Sequence, residues 1–415
     1  MKTMLKTSVL ATSLVMALTA CSEKKNNSED KIRIQATAAM KSEELAEAGE
    51  QLVSPYTFML SDKVFDMALE KDPNNKKAQF YKNFVKRFMV LKGIAKRIAP
   101  IVKNGTPEQV ADYQKWQREF PESPLKNFLL DGTEDITSYS QLADVLHDYN
   151  LALNDFRKFL KMNAGMELTL NLNPHIFERE INESLVNSCV TVGDQETGVN
   201  VECSTSGIAQ KQMNSADLIA LRQLTGGEML YWSVATAYDL SVFEKLSRDP
   251  KYNEMTAPQQ TAYLNSLPSV AKLRKDHTLS LIPELGSDFS AAMKWARKYH
   301  ANICPMGQET RNQRRGFLFK DGICIPSTSE GEKSLALLDQ ALGGVFSMPV
   351  KNEQGQSVRE VRINVVGFLK NPPKDIKTVM PESVDEDGKI LKLNDATMGG
   401  LFPDGLPLDL QSSEH

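Results

Sequence analysis

Cysteine and histidine are both scarce in this chain, at five each among 415 residues, and neither falls in a pattern that carries chemistry. No Cys-x-x-Cys spacing occurs, and His300, four residues before Cys304, makes one near pair without further ligands, so a structural zinc site is not expected. His-Glu-x-x-His, Gly-x-Ser-x-Gly and Gly-x-x-x-x-Gly-Lys are all missing, which removes the common metalloprotease, hydrolase and phosphate-loop readings. His147, His175, His277, His300 and His415 are scattered, and most lie on expected helices or at their ends. A basic excess is absent too. The formal charge is -4, and loss of Lys2 and Lys6 with a leader would take it to -6, so nucleic acid is not an expected partner. No apolar run approaches the roughly 20 residues of a spanning helix. The expectations are no metal, no cofactor, no catalytic residue and no transmembrane segment.

What is present begins at the N-terminus. Lys2 and Lys6 precede a short run from Leu10 to Ala20 that is apolar or small and interrupted by Ser and Thr. That is the build of a secretory signal. It ends in Leu18-Thr19-Ala20-Cys21, and the polar stretch Ser22-Glu23-Lys24-Lys25-Asn26-Asn27-Ser28-Glu29-Asp30 follows at once. Leu, two small residues and Cys resemble the processing site of bacterial lipoproteins. The resemblance implies residues 1–20 as a signal peptide, lipid on Cys21, and residues 21–40 as a flexible, solvated tether. Ser22 in second place, where Asp would favour inner-membrane retention, implies an outer-membrane lipoprotein facing the periplasm. Acyl chains contribute about 0.8 kcal/mol per buried CH₂, so more than one chain makes a stable anchor.

Four cysteines remain for the exported body: Cys189, Cys203, Cys304 and Cys324. An even number in an oxidising compartment favours disulfides, and four allow three pairings. Cys189 and Cys203 sit at the feet of two alternating segments around Gly193-Asp194-Gln195-Glu196-Thr197-Gly198, which reads as a β-hairpin. Lys320-Asp321-Gly322 joins two more apolar segments, with Cys324 on the second and Cys304 upstream. The expected bridges are Cys189–Cys203 and Cys304–Cys324.

From Lys41 to about Leu160 the spacing is helical. Leu45, Gly49 and Leu52 share one face, Phe65 and Ala68 mark a second helix, and Pro73 ends it. Gly49 allows close approach of the paired helices, Phe65 fills the gap and Ala68 keeps the neighbour near. Over residues 42–75 this unit resembles the tetratricopeptide repeat, a helix–turn–helix of 34 residues. Ser61 stands where that family prefers Ala, and Leu45 and Ala48 replace its Trp and Leu. The resemblance implies an α-solenoid surface for protein binding.

A third helix is expected over 77–99, with Lys82, Lys86, Arg87, Lys92, Lys96 and Arg97 as its charged residues, all basic. Such a face meets an anionic partner or is balanced by acidic neighbours. Thr106-Pro107-Glu108-Gln109, Ser138-Tyr139-Ser140-Gln141 and Thr256-Ala257-Pro258-Gln259 have the form of helix starts, with Pro121 to Asp135 as a connector after the first. Gly226 to Pro250 repeats the separation of Gly49 to Pro73, which suggests a second, degenerate unit. A strand is expected from Val358 through Phe368, and beyond Pro373 a partly ordered tail with Leu401-Phe402-Pro403 tucked back.

The organisation expected is therefore mainly α: an irregular tetratricopeptide-like helical-repeat body with two small disulfide-stapled β-hairpins and a mixed C-terminal segment. Residues 41–188 form a first helical block, 189–213 a hairpin insertion, 214–303 a second helical block, 304–326 another hairpin, and 327–415 a helix–strand segment with an irregular tail. Two short motifs are set aside. Ser269-Val270-Ala271-Lys272 has Ser-x-x-Lys without its companion Lys-Thr-Gly, and Asp385-Glu386-Asp387-Gly388 is too short for a calcium loop. The function expected is binding or scaffolding of a protein or peptide at the outer membrane. A small-ligand accessory protein of a transport system, or an envelope enzyme whose site carries no motif, are the alternatives.

Overall fold

The computed structural model describes residues 31–53, 57–120, 124–172, 189–191, 198–204, 209–247, 249–303, 329–351 and 356–406. The expected signal peptide, Cys21, Cys304, Cys324 and the second expected cysteine hairpin lie outside them. The described chain is mainly helical, with four small antiparallel sheets. It falls into two units. The described residues of the first lie within Met1–Ile136, Leu151–Gly226 and Asn302–Cys324, and those of the second within Thr137–Asn150, Gly227–Ala301 and Ile325–His415.

The first unit opens with strand β1 (Lys31–Thr37), placed where a tether is expected through residue 40. Ile32, Ile34 and Ala36 alternate with polar residues, and that period of two is strand patterning. It pairs with β4 (Gly198–Ser204), which also pairs with β3 (Cys189–Thr191), giving the order β1-β4-β3. The first hairpin is thus the core of a three-stranded sheet that reaches back to the start of the body. Helices α1 (Ser42–Gln51), α2 (Phe58–Lys71) and α3 (Lys76–Val90) follow. Asn75 caps α3 by accepting from Ala78 N at 2.9 Å.

The long helix expected over 77–99 breaks at Gly93. That residue has φ +67°, and a Cβ there would stand 2.6 Å from the backbone of Asp131 and Gly132. Short helices α4 (Ile94–Arg97) and α5 (Ala99–Lys103) continue the path. Helix α6 (Pro107–Glu119) starts on the reciprocal capping box of Thr106 and Gln109, and α7 (Pro124–Leu130) occupies part of the expected connector. Helix α8 (Tyr139–Met162) contributes its N-terminal half to the second unit and the rest to the first. Strands β2 (Leu168–Leu172) and β5 (Ala209–Met213) then pair. The core of this unit includes Leu45, Val64, Phe65, Tyr81, Val85, Phe156 and Leu170.

Helix α9 (Ser215–Ala235) carries on through Gly226 and Gly227 without a break. Nothing lies within 4 Å of a Cβ built on Gly227. The second unit adds α10 (Ser241–Ser247), α11 (Pro250–Asn253), α12 (Ala257–Ser266), α13 (Ile282–Ile303) and α14 (Ser329–Gly343). Strands β6 (Phe346–Lys351) and β7 (Ser357–Ile363) pair, and helix α15 (Val365–Lys370) stands where the strand was expected to continue. Asn364 turns the chain there by capping Gly367 N at 2.9 Å. The expected loose tail is organised through residue 406. Strands β8 (Pro381–Val384) and β9 (Ile390–Leu393) form a hairpin, and Leu401 tucks back through its carbonyl, which accepts from Asn364 N at 2.8 Å.

Candidate functional site

The first three helices bring the expected packing residues together. Leu45, Leu52, Phe65 and Ala68 have no exposed surface. A Cβ on Gly49 would meet the Phe65 ring at 2.6 to 3.0 Å, so the bare glycine is what lets the aromatic seat against α1. Phe65 in turn stacks on Tyr81 with centroids 5.4 Å apart and planes 3° apart. Ser61 is buried and donates to Gly49 O at 2.8 Å, which satisfies the hydroxyl at that position. Ser42 Oγ donates to Ala68 O at 2.8 Å and accepts from Asn75 Nδ2 at 3.0 Å. Pro73 lies in the turn between α2 and α3, where its carbonyl accepts from the Gln79 side chain.

One group here has no counterpart in the sequence reading. Glu50 is buried yet holds four donors: Lys77 Nζ at 2.6 Å, Tyr81 OH at 2.7 Å, Asn171 N at 2.7 Å and Asn171 Nδ2 at 2.9 Å. Burial, then the charge of Glu50 and its hydrogen bond, hold the Tyr81 phenol in its protonated form well above the ordinary value. A carboxylate this fully engaged ties β2 to α1 and α3 and has no lone pair to spare for substrate. Its signal, a Glu on an apolar helix face, is too common to single out.

Apart from Lys96, which has no carboxylate partner among the described residues, the lysines of the basic run are neutralised pair by pair. Lys82 meets Asp62 at 2.8 Å and Asp66 at 2.7 Å, Lys86 meets Asp155 at 2.7 Å, and Lys92 meets Asp131 at 2.9 Å. Arg97 meets Asp135 at 2.9 Å, and its hydrogen bonds hold that carboxyl below the usual range. Lys103, further along, meets Glu134 at 2.7 Å. Arg87 turns inward, with its guanidinium 4.5 Å from the Phe84 centroid and 4.7 Å from that of Phe88.

Beside this face lies an open groove of about 410 Å³ between α4, α5, α6 and α7. Ala99, Val102, Val110 and Leu130 give it an aliphatic lining, and Lys96, Gln114 and the Lys103–Glu134 pair stand along it. Its outer wall, α6, is a 13-residue helix with no buried residue. Tyr113, Trp116 and Phe120 form a half-exposed aromatic row on it, with successive centroids 6.1 and 5.3 Å apart. Tyr113 OH donates to Ala95 O at 2.8 Å, which fixes the wall to the body. Burial and the charge of Glu134 raise that phenol's pKa, and a hydrogen bond from Gln117 partly opposes them. An aliphatic trough with polar edges and a row of half-exposed rings can bind; it offers no nucleophile, acid–base pair or metal set.

The second unit holds a polar set around the buried His147 that invites comparison with a catalytic triad. His147 Nε2 lies 3.3 Å from Asp276 Oδ2, and Arg274 pairs with Asp144 at 2.5 Å. Nearby, Asn150 Nδ2 donates to Ser233 Oγ and Thr278 Oγ1, both at 2.9 Å, and Thr278 donates to Ser233 at 2.8 Å. Among the described residues no hydrogen bond joins either hydroxyl to His147, and both hydroxyls lie in the interior while Asp144 and Asp276 are half exposed, so the hydroxyls are not arranged as a nucleophile with its base. Ser269 is likewise engaged. Its hydroxyl donates to Asp375, which also accepts from the backbone N–H of Val270, Ala271 and Lys377. Burial raises the Asp375 pKa, and those donors, Ser269 first, outweigh it and hold the carboxyl low. Asp385 serves its own turn, accepting from Asp387 N at 3.1 Å and Lys389 N at 2.8 Å.

Cys189 and Cys203 stand directly opposite each other in the β3–β4 register. Among the described residues there is no group of three or more His, Cys, Asp or Glu placed to hold a metal, and no helix long and apolar enough to cross a membrane. No family model, curated protein or solved structure matches the chain.

Proposed function

We propose that the chain is a lipid-anchored binding or scaffold protein of a bacterial cell envelope, held on the periplasmic side of the outer membrane through Cys21 and contacting a protein or peptide partner with the helical surface of its first unit. The observation that carries this reading is the open groove beside α6. An exposed helix with a half-exposed row of three aromatic rings beside an aliphatic trough is the composition of a contact surface, where aromatic residues and a mixed polar rim are enriched. A carrier for a small apolar ligand would instead enclose it. The unit packed around Gly49, Phe65 and Ala68 supports a tetratricopeptide-like scaffold for that surface, and the facing positions of Cys189 and Cys203 support a disulfide across β3 and β4. Cys304–Cys324 is proposed as the second bridge.

The test is photo-crosslinking in living cells. A photoreactive phenylalanine analogue at Gln114, on the groove, is expected to capture a discrete protein band identifiable by mass spectrometry. The same analogue at Glu386, in the exposed hairpin turn of the second unit, is expected to capture none. Equal capture at both positions, or none at Gln114, would overturn the reading.

A further inference from the structure

We infer that the groove beside α6 takes a short extended peptide segment in which an apolar side chain stands next to a carboxylate, and that Lys96 is the residue that selects the carboxylate. This rests on the binding reading above and names the partner's chemistry.

The charge count around the groove is the argument. The neighbouring 131–135 segment carries three acidic residues, of which Glu134 lines the groove, and each is already matched: Asp131 with Lys92, Glu134 with Lys103 and Asp135 with Arg97. Lys96 is exposed, lines the groove, and has no carboxylate partner among the described residues. One cation is left over at the edge of an aliphatic trough. The complementary ligand carries an anion beside an apolar anchor.

The shape argues for a peptide over a small amphiphile. Sites for small ligands bury most of the ligand's surface, whereas this groove is half open to water. A decanoate-like chain laid in it would leave much of its apolar surface wet. A peptide would need to bury only a side chain, and its backbone loses nothing by staying solvated on one side. Gln114 on α6 offers both a donor and an acceptor along the groove, which suits a peptide backbone and has no use for an acyl chain. At about 410 Å³ the groove has room for side chains and not for a folded element.

The test is selection of a random heptapeptide phage library on the purified full chain, run in parallel on Lys96→Glu and Val110→Asp. Circular dichroism serves as the check that both variants fold. Both positions are solvent-accessible, and an Asp at 110 falls in the first turns of α6, where an acidic side chain is tolerated. Wild type is expected to enrich peptides with an aromatic or aliphatic residue within two positions of Asp or Glu. Replacing that acid by its amide should weaken the best peptide about fivefold in fluorescence anisotropy, the scale of one exposed ion pair. Lys96→Glu should lose the acidic preference, and Val110→Asp should lose enrichment altogether.

Enrichment without acidic residues, or an acidic preference unchanged in Lys96→Glu, overturns the inference and leaves the groove as a peptide site. Peptides that bind Val110→Asp as well as wild type are bound elsewhere, and then both readings fall. No enrichment on wild type also removes both. In that case titration calorimetry with decanoate decides what replaces them, saturable heat marking a small-amphiphile site.

Discussion

Gly49 is the residue on which the first helical hairpin depends most sharply, because the atom it lacks would fall on a ring that cannot move. Phe65 has no exposed surface and is stacked flat against Tyr81, so it has nowhere to retreat from a Cβ only 2.6 Å away. Gly49→Ala gains about 1 kcal/mol of helix propensity and loses about 1–3 kcal/mol to overpacking, so a net loss is expected in chemical denaturation. In a Phe65→Leu background the clash disappears and the same Gly49→Ala change should become stabilising. A Gly49→Ala effect of the same sign and size in both backgrounds would refute the contact. Tyr81, next in the stack, makes a pH prediction. Its folded pKa lies above the unfolded value near 10.0, so the native state holds the proton longer than the unfolded chain does. That contribution to stability is complete below pH 10 and is lost as pH rises toward the folded pKa. Tyr81→Phe should cost about 1 kcal/mol at pH 8, where Glu50 loses a donor, and should lessen the further loss between pH 10 and pH 12. Urea midpoints of both proteins at the three pH values check this. An equally steep alkaline fall in Tyr81→Phe would rule it out.

At the scale of elements, what could be read from the sequence was local. The starts of α6 and α12 are visible in Thr106 to Gln109 and Thr256 to Gln259 because a capping box closes within four residues. The pairing of α1 with α2 is visible because Gly49, Phe65 and Pro73 lie within one short stretch. What stayed hidden depends on distant partners. Gly93 breaks a helix because the backbone of Asp131 and Gly132 comes against it, and Glu50 is secured by Asn171, 121 residues away. The pairing of β1 was hidden for the same reason, since its partner β4 comes more than 160 residues later. The groove combines both cases: the capping of α6 was legible, whereas the acids that leave Lys96 unmatched arrive from beyond the next helix. The β3–β4 element yields a prediction of its own. Cys189 and Cys203 face each other in register, and a bridge there closes a loop of about fifteen residues, which chain entropy values at about 3 kcal/mol. Peptide mapping without reduction should recover a Cys189–Cys203 linked pair. A Cys189–Cys304 link would exclude it, and so would free thiols at both positions in protein taken from the periplasm.

For the molecule as a whole, the proposed anchor and the fold make one joint prediction, because β1 sets how far the body stands from the membrane. Nine residues lie between Cys21 and Lys31, the first residue of β1, and those ten Cα-to-Cα steps span at most about 35 Å when fully extended. With lipid on Cys21, the sheet that begins the first unit therefore stays within that distance of the bilayer surface. The start of the first unit is thus held near the bilayer, where a partner anchored in the same membrane, or one that reaches in with a flexible segment such as the acidic–apolar peptide inferred for the groove, can meet it. Radiolabelled palmitate should label the wild-type chain and not Cys21→Ser. The wild-type chain should sediment with outer membranes, and Cys21→Ser should not be retained there. Ser22→Asp should shift the lipidated protein to the inner membrane, which separates sorting from attachment. If instead Cys21→Ser keeps both label and membrane association, the anchor lies elsewhere and the limit on distance goes with it. The groove and its peptide would then have to be tested as properties of an untethered protein.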